Sequence, residues 1–584
     1  MIEQIPPGML LVLGALLLPL LPRAVRPALS VALPLLGLLQ VWMLSPGMEF
    51  TVPAFGYELE LLRVDRLSKI FGIIFHIAAL LSVIYALHVK DLVQQVCGLA
   101  YAGCAIGAVF AGDLISLFLF WEGTAITSVF LIWARRTERS YKTGMRYLVV
   151  QVLSGVLLLA GALVHYAETG SLAFGRAWTS TAGEEALRGA VAFETLADAS
   201  PAALLILLAF GIKAAFPFLH SWLQDAYPES TPTGTVWLSA FTTKLAIYAL
   251  IRGFAGTEIL IPIGAAMTAF PIFYAVIEND LRKVLAYSLN NQLGYMVVGV
   301  GIGSELAING AAGHAFAHII YKGLLFMSMG AVLHRVGTIK GSELGGLWRS
   351  MPWTTVFCCI GAASISAFPL FSGFVTKSMI LAAAAEEHMT VTFLILLFAS
   401  AGVFHHSGIK IPYFAFFAHD SGRRPAEAPA NMLVAMAAAA ALCIGIGCWP
   451  GPLYAMLPFE VQSFVPYDMT HVVTQSQLLF YSALAFVFLQ KFGLYPPELA
   501  STNIDSEWIY RKGGRKLVLA CWGACASVGT ALRAFVDRTI RRDLWLIREV
   551  HKPHHGPLGE PWPIGEAALW AAGLLAAFAL LALA

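Results

Sequence analysis

Charge is what this sequence has little of. Only 12% of its 584 residues are Asp, Glu, Lys or Arg, about half the ~25% of an average soluble domain, while 58% are hydrophobic. The apolar residues come in long runs rather than at amphipathic spacing, so the folded surface itself is apolar and a soluble enzyme is excluded. Neither sign of charge prevails: 37 basic residues stand against 35 acidic ones, a formal net charge of +2. That leaves no basic face for a nucleic acid. Paired cysteines are also missing. Cys97, Cys104, Cys358, Cys359, Cys443, Cys448, Cys521 and Cys525 form no C-x-x-C pair and nearly all fall within apolar runs. Iron–sulfur clusters, zinc and a disulfide framework therefore lack a ligand set, and no cofactor or metal is expected. The first apolar run, Met9 to Leu21, has no basic flank in front and is followed by another from Leu29 to Met43, so it reads as a retained helix rather than a signal peptide.

A helix needs roughly 20 mostly apolar residues to cross the hydrocarbon core, and about sixteen segments qualify. They are 8–22, 29–45, 67–89, 94–111, 114–133, 147–166, 201–222, 234–252, 257–279, 286–303, 307–333, 352–385, 391–417, 431–449, 476–492 and 565–584. The expectation is an all-α, multi-pass protein of the cell (inner) membrane. Placing Arg23 and Arg26 on the cytoplasmic side and alternating after each span puts the other basic gaps on that side too. These are Lys90, the Arg135–Lys142 run, Arg282 with Lys283, the Arg335–Arg349 stretch, and Arg423 with Arg424, while the 167–200 loop carries mixed charge on the opposite face. An even number of spans with both termini outside follows. One extended hydrophilic region, 493–564, contains a basic amphipathic stretch from Arg515 to Arg548, about 50 Å long if helical. It is expected to lie along the interface or a neighbouring subunit, although the apolar core of 516–532 leaves a further span open.

A charge at the bilayer centre costs ~2.5 kcal/mol or more, so each intramembrane ionisable group needs a partner or a task. Glu122 lies in FLFWEGTAITSVF, Lys213 in LLAFGIKAAFPFLH and Lys244 in SAFTTKLAIYAL. His314, His318 and Lys322 lie in GHAFAHIIYKGLLF, and Lys377 in FPLFSGFVTKSMI. A lone lysine near a span end snorkels, and a lone histidine is commonly a hydrogen-bonded core residue. A set with one acid among several bases cannot be neutralised pair by pair. Proton relay is the task that uses such a set, because desolvation lowers a lysine pKa and a nearby carboxylate raises it again. His314, His318 and Lys322 are spaced by four and share a helical stripe. A haem there would need an opposing histidine at membrane depth, and His405 with His406 is the only other pair within an apolar span, adjacent rather than stacked. The GVGIGS stretch at 299–304 lies in an apolar span with no preceding strand, so it is not a nucleotide loop.

Two of these spans carry helix breakers beside their lysines: Pro217 after Lys213, and Pro369 and Gly373 before Lys377. Discontinuous helices in corresponding places of two halves point to an ion pathway built from repeats. The repeats are read as 94–252 and 257–417, five spans each, and the odd number makes them inverted. Around them the chain divides into N-terminal helices (1–93), peripheral helices (418–492), the amphipathic segment (493–564) and a final span (565–584).

An ordered set of motifs then points to a family. WEG at Trp121–Gly123, GIKAAFPFLHSWLQDAYPESTPT from Gly211, NDLRKVLAYSLNNQLGYM from Asn279, HIIYKGLLF from His318 and FSGFVTK ending at Lys377 resemble the proton-conducting antiporter family. That family comprises the antiporter-like subunits of respiratory complex I and the large subunits of Mrp-type cation/proton antiporters. The resemblance covers about 65–492, and FTTKLAIYAL and GIKIPYFAFFAHDSG look most like the Mrp D subunit. It implies that Glu122 and Lys213 are the acid and base of the first half-channel. It implies further that Lys244 bridges the central axis, that His318 and Lys322 continue it and that Lys377 ends it. His314 matches a histidine of only some members. The tail after Phe492 departs from the D pattern and is similar to that of the largest complex I subunit, whose lateral helix braces its neighbours.

The resulting expectation is a proton-translocating membrane subunit of a multisubunit Na⁺/H⁺ antiporter, a transporter rather than an enzyme. Its partners would be other membrane subunits, protons, Na⁺ and the lipid bilayer. A complex I-like or hydrogenase-linked assembly, or a bicarbonate uptake system, stays open as the parent complex. Asp65, Asp113 and Asp225, near span ends, are bland candidates for an alkali-ion site.

Overall fold

The computed structural model describes residues 5–583 apart from 55, 176–187, 462–463, 497, 500–502, 553–554, 556 and 558–562. Part of the mixed-charge 167–200 loop thus lies outside the described residues. The chain is a multi-pass membrane protein: thirteen described helices are long and apolar enough to cross a bilayer, and Met9–Leu20, Pro201–Ala214 and Pro352–Ile365 are apolar but shorter. It forms two units, Met1–Asn503 and Ile504–Ala584.

The first unit opens with α1 (Met9–Leu17) and α2 (Arg26–Met43). A hairpin that the helical reading did not include follows, β1 (Glu49–Ala54) antiparallel to β2 (Tyr57–Arg63). It is fastened by Arg63, which donates to the carbonyls of Phe174 at 3.0 Å and Gly175 at 2.6 Å. Next comes α3 (Arg66–Ala86), whose N-terminus is held by a reciprocal cap between Asp65 and Ser68, satisfying backbone donors that the helix leaves free.

Two runs of helices follow, seven in the first and six in the second, that share several local features. The first is α4 (Leu92–Phe110), α5 (Leu114–Trp133), α6 (Glu138–Thr169), α7 (Pro201–Ala214), α8 (Ser221–Glu229), α9 (Gly234–Ala240) and α10 (Thr242–Phe254). The second is α11 (Leu260–Ile277), α12 (Leu281–Ile302), α13 (Glu305–Val336), α14 (Pro352–Ile365), α15 (Ser372–Glu386) and α16 (Thr390–Val403). Asp113 caps α5 and Asp280 caps α12, and each makes a single bridge to the chain beyond the next helix, to Ala173 and Lys340 respectively. Helices α6 and α13 both have 32 residues and both stop at a left-handed glycine, Gly170 or Gly337. That conformation costs glycine little. Helices α7 and α14 each have 14 residues with proline in the first turn.

The segments 201–222 and 352–385, read from sequence as single spans, each resolve into two helices, α7 with α8 and α14 with α15. In both breaks two non-glycine residues take positive φ, Ala215 (62°) and Phe218 (67°), then Ala367 (55°) and Leu370 (73°). The backbone turns there on local bonds, Phe216 N to Gly211 O at 2.9 Å and Phe368 N to Ala363 O at 3.0 Å. Pro217 and Pro369, between the left-handed residues, have no N–H to continue a helix. Gly373 plays another part: it lies inside α15, and a Cβ there would strike the Ser364 carbonyl of α14. The span read at 234–252 is also interrupted, because Thr242 N donates to the Tyr101 hydroxyl at 2.9 Å and α9 gives way to α10 at Phe241.

After α16 the chain continues through a π-helical turn (Phe404–Ile409), α17 (Lys410–Pro412) and a second π-helical turn (Tyr413–Phe417). Then come α18 (Ala430–Cys448), α19 (Gly451–Met456) and α20 (Met469–Lys491). The apolar stretch Gly234–Phe254 is wholly buried and that of α13 is 94% buried, so their polar side chains stand at the centre of the unit. The second unit contains α21 (Arg515–Val550), preceded by a π-helical turn at Ile509–Gly514, and α22 (Ile564–Leu583). Ile509–Val550, which includes the expected amphipathic stretch, is one of the thirteen by length and composition.

Candidate functional site

Of the residues singled out from sequence, Lys213, Lys244, His314, His318 and Lys322 are 0% exposed and Lys377 is 1% exposed. Glu122 is half-buried. An ammonium removed from water at these depths needs hydrogen-bond acceptors, and the structure supplies few of them.

Lys213 occupies the last turn of α7, just before the break. Its Nζ donates to the Trp121 carbonyl at 2.7 Å and to Thr124 Oγ1 at 2.8 Å, and lies 4.3 Å from the centre of the Trp121 ring, a cation–π geometry. Both acceptors flank Glu122 on α5. The carboxylate interacts electrostatically with Lys213, yet Oε1 has no hydrogen-bond partner. It rests against Gly155 of α6, where any Cβ would overlap it. Trp121 is fixed in turn by Ser154, which accepts from the indole at 3.0 Å and donates to the Ala209 carbonyl at 2.7 Å.

Hydroxyls lead from this pocket toward Lys244. Thr124 and Ser128 lie one turn apart on α5, Ser128 is 2.8 Å from the Tyr147 hydroxyl, and Thr242 is 2.5 Å from that of Tyr101. Lys244, two residues past Thr242, donates to the Ser239 carbonyl at 2.5 Å. His318 and Lys322 lie within electrostatic reach of Lys244. The structure brings Glu122 together with Lys213, and Lys244 with the α13 stripe, but puts no direct contact between Lys213 and Lys244.

On α13 the stripe is continuous. His314 is 3.2 Å from Thr376 Oγ1 and 3.2 Å from Gln292 Oε1, and Tyr321 donates to the same Gln292 oxygen at 3.1 Å. Both ring nitrogens of His318 and Nζ of Lys322 have no hydrogen-bond partner. Lys377 of α15 donates to Ser400 Oγ at 2.7 Å and sits 4.7 Å from the Tyr295 ring centre. Gln151, Thr243 and Asn290 add further buried polar atoms without partners. Protein interiors satisfy the great majority of such groups, and those left over take water, so this row of atoms suits a hydrated path for protons.

The bland carboxylates have structural tasks. Asp65 forms a buried ion pair with Arg252 at 2.7 Å, Asp113 accepts from Glu60 N at 2.7 Å, and Asp225 pairs with Arg146 at 2.6 Å. Arg282, read from sequence as a loop charge, is fully buried. It donates to the carbonyls of Tyr227, Pro228, Ser230 and Thr231 at 3.1–3.3 Å, gathering the end of α8 and the turn that follows it. Sequence reading passed over Gly155, Ser400 and Lys410. Lys410 alone carried a signal, a charge inside an apolar span. No group of three or more His, Cys, Asp or Glu able to hold a metal occurs among the described residues.

Residues 111–404 match the family described as NADH:quinone oxidoreductase/Mrp antiporter, TM. The chain is 29% identical over 473 residues to the A subunit of the Na(+)/H(+) antiporter of Alkalihalophilus pseudofirmus, covering 73% of this chain and 56% of that protein. With the D subunit of the same antiporter it shares 32% over 322 residues, 53% of this chain and 63% of that protein. The L subunit of the NADH-quinone oxidoreductase of Campylobacter jejuni is 25% identical over 467 residues, 77% and 75% of the two chains. The chain therefore spans only 56% and 63% of the two antiporter proteins. Its fold is similar to a chain of the Mrp complex from Dietzia sp. DQ12-45-1b, with a TM-score of 0.67, 20% identity and coverage of 83% and 98%. It is also similar to a chain of the membrane-bound sulfane sulfur reductase, an archaeal respiratory membrane complex, with a TM-score of 0.70, 22% identity and coverage of 99% and 100%. Both are multisubunit membrane assemblies.

Proposed function

We propose that this chain, which belongs to the NADH:quinone oxidoreductase/Mrp antiporter family, translocates protons as a membrane subunit of a multisubunit Na⁺/H⁺ antiporter. The path runs from Glu122 and Lys213 through Lys244, His318 and Lys322 to Lys377, with His314 beside its last step. The observation that carries this reading is the burial of four lysines and two histidines between two broken helices, with Glu122 the one nearby acid among the path residues. A purely structural core would pair such charges or replace them by apolar residues. Here each amine can gain or lose a proton as its neighbours change charge.

In this reading 94–252 and 257–417 are inverted repeats, the Lys283-bearing face is cytoplasmic, the membrane is the inner one, and Na⁺ is exchanged against protons. The chain itself makes and breaks only N–H and O–H bonds. A second reading, a subunit of a redox-driven complex, is favoured by the near-complete fold coverage with the sulfane sulfur reductase chain and by the likeness to the L subunit of the quinone oxidoreductase. Lys213→Ala tests translocation under either parent complex. Proton movement should cease while the variant still assembles, and a wild-type rate in that variant would remove the buried chain from the mechanism.

A further inference from the structure

Lys410 lies between two π-helical turns, a distortion that gathers at functional sites. It is fully buried. Its ammonium donates to the carbonyls of Ala275 at 3.2 Å, Val276 at 2.7 Å and Glu278 at 2.7 Å, around the end of α11. It also pairs with Glu498 at 2.9 Å. Glu498 arrives from the segment after α20, which tucks Tyr495 against His405 at 5.4 Å and Phe414 at 6.1 Å between ring centres. One turn before Lys410, His406 is fully buried, with Nδ1 2.8 Å from Ser407 Oγ and Nε2 without a hydrogen-bond partner. The charged or titratable groups within electrostatic reach of His406 are Lys322, His405, Lys410 and Lys377. None of Glu498, Lys410 or His406 belongs to the path described above.

These groups join two places. At one end Glu278, beside Glu498, meets Lys283 at 2.9 Å and Asn503 at 3.2 Å, on the face that bears Lys283. At the other end stand Lys322 and Lys377. Burial raises the Glu498 pKa, Lys410 opposes the rise, and Glu278 adds to it. A buried staple would not need an unpartnered imidazole beside it, since an apolar residue would fill that space without the desolvation cost.

We propose that Glu498, Lys410 and His406 form a titratable branch that carries protons between the Lys283-bearing face and the Lys322–Lys377 end of the buried chain. It rests on the translocation reading above. A proton taken up by the Glu498 carboxylate leaves the Lys410 ammonium without its counter-charge. Lys410 then gives a proton to His406 Nε2 through water and regains one from Glu498. The net change is one proton gained by His406, with Glu498 again a carboxylate.

The test uses the full chain with its chromosomally neighbouring subunits in everted vesicles, read with a pH-sensitive dye under Na⁺, K⁺ or an electron donor. His406→Gln should assemble and slow proton movement about a hundredfold, the scale of a lost positioned proton carrier. Glu498→Gln should remove the part of the pH–rate profile that Glu498→Asp retains. Wild-type rate and profile in all three variants, with Lys213→Ala inactive, would overturn the branch and leave translocation standing. Proton movement absent from the wild type under every driver would overturn translocation and the branch with it.

Discussion

Helices α6 and α13 have the same length and the same ends, yet their buried stripes differ in chemistry. At matched positions counted from the first residue, α6 carries Tyr147, Gln151 and Gly155 where α13 carries His314, His318 and Lys322. The helices before them differ in the opposite sense: α5 has Glu122 where α12 has Leu289, followed by Asn290, Asn291 and Gln292. The first run therefore holds an acid over a glycine seat, and the second holds bases facing neutral amides. An acid that can shift toward or away from Lys213 changes the proton affinity of that lysine. In the proposed path, bases beside bases, with Ser400 and amide side chains as acceptors, pass the proton on. Under the proposed translocation, the first run is the control end and the second the relay end.

The largest effect should come from removing the first run's own brace. Asp65→Ala takes the carboxylate away from the buried Arg252 guanidinium, at a cost of about 3–5 kcal/mol. Thermal unfolding in detergent should register it, while transport per assembled molecule stays near the wild-type value, since this pair lies off the path. Gly155→Val comes next. A side chain there displaces the Glu122 carboxylate, and dye-monitored proton movement should fall about a hundredfold. Gly323→Ala on α13, where a Cβ would meet only Met327 Cε at 3.7 Å, should leave the rate unchanged, and a loss as large as that of Gly155→Val would erase the distinction between the runs. Ser400→Ala removes the hydroxyl that Lys377 holds. A hydrogen bond to a charged group contributes about 1.5–3 kcal/mol, so initial rates in vesicles should fall about tenfold, less than for the acid seat.

Much of this organisation was legible in the sequence because membrane burial makes exceptions conspicuous. A lysine in an apolar run is costly, so Lys213, Lys244, Lys322 and Lys377 stood out, and Pro217 and Pro369 marked the breaks. What stayed hidden depends on side chains meeting across helices. Gly155 is unremarked until Glu122 is seen lying on it. Arg282 reads as a loop charge because nothing local says that it turns inward to four carbonyls at the end of α8 and in the turn after it. The interruption at Phe241 follows from Tyr101, far along the chain, taking a backbone N–H. The hairpin at 49–63 is too short beside the long apolar runs to register as strands.

In the proposed mechanism the first run's acid, Glu122, controls proton movement along the buried chain. The most direct measurement is the pH change triggered by Na⁺ or K⁺ in everted vesicles holding the wild-type chain with its neighbouring subunits, against the same vesicles with Glu122→Ala. A cation-dependent signal is expected in the wild type and should vanish in the variant at equal assembly. An undiminished signal in Glu122→Ala would contradict that mechanism.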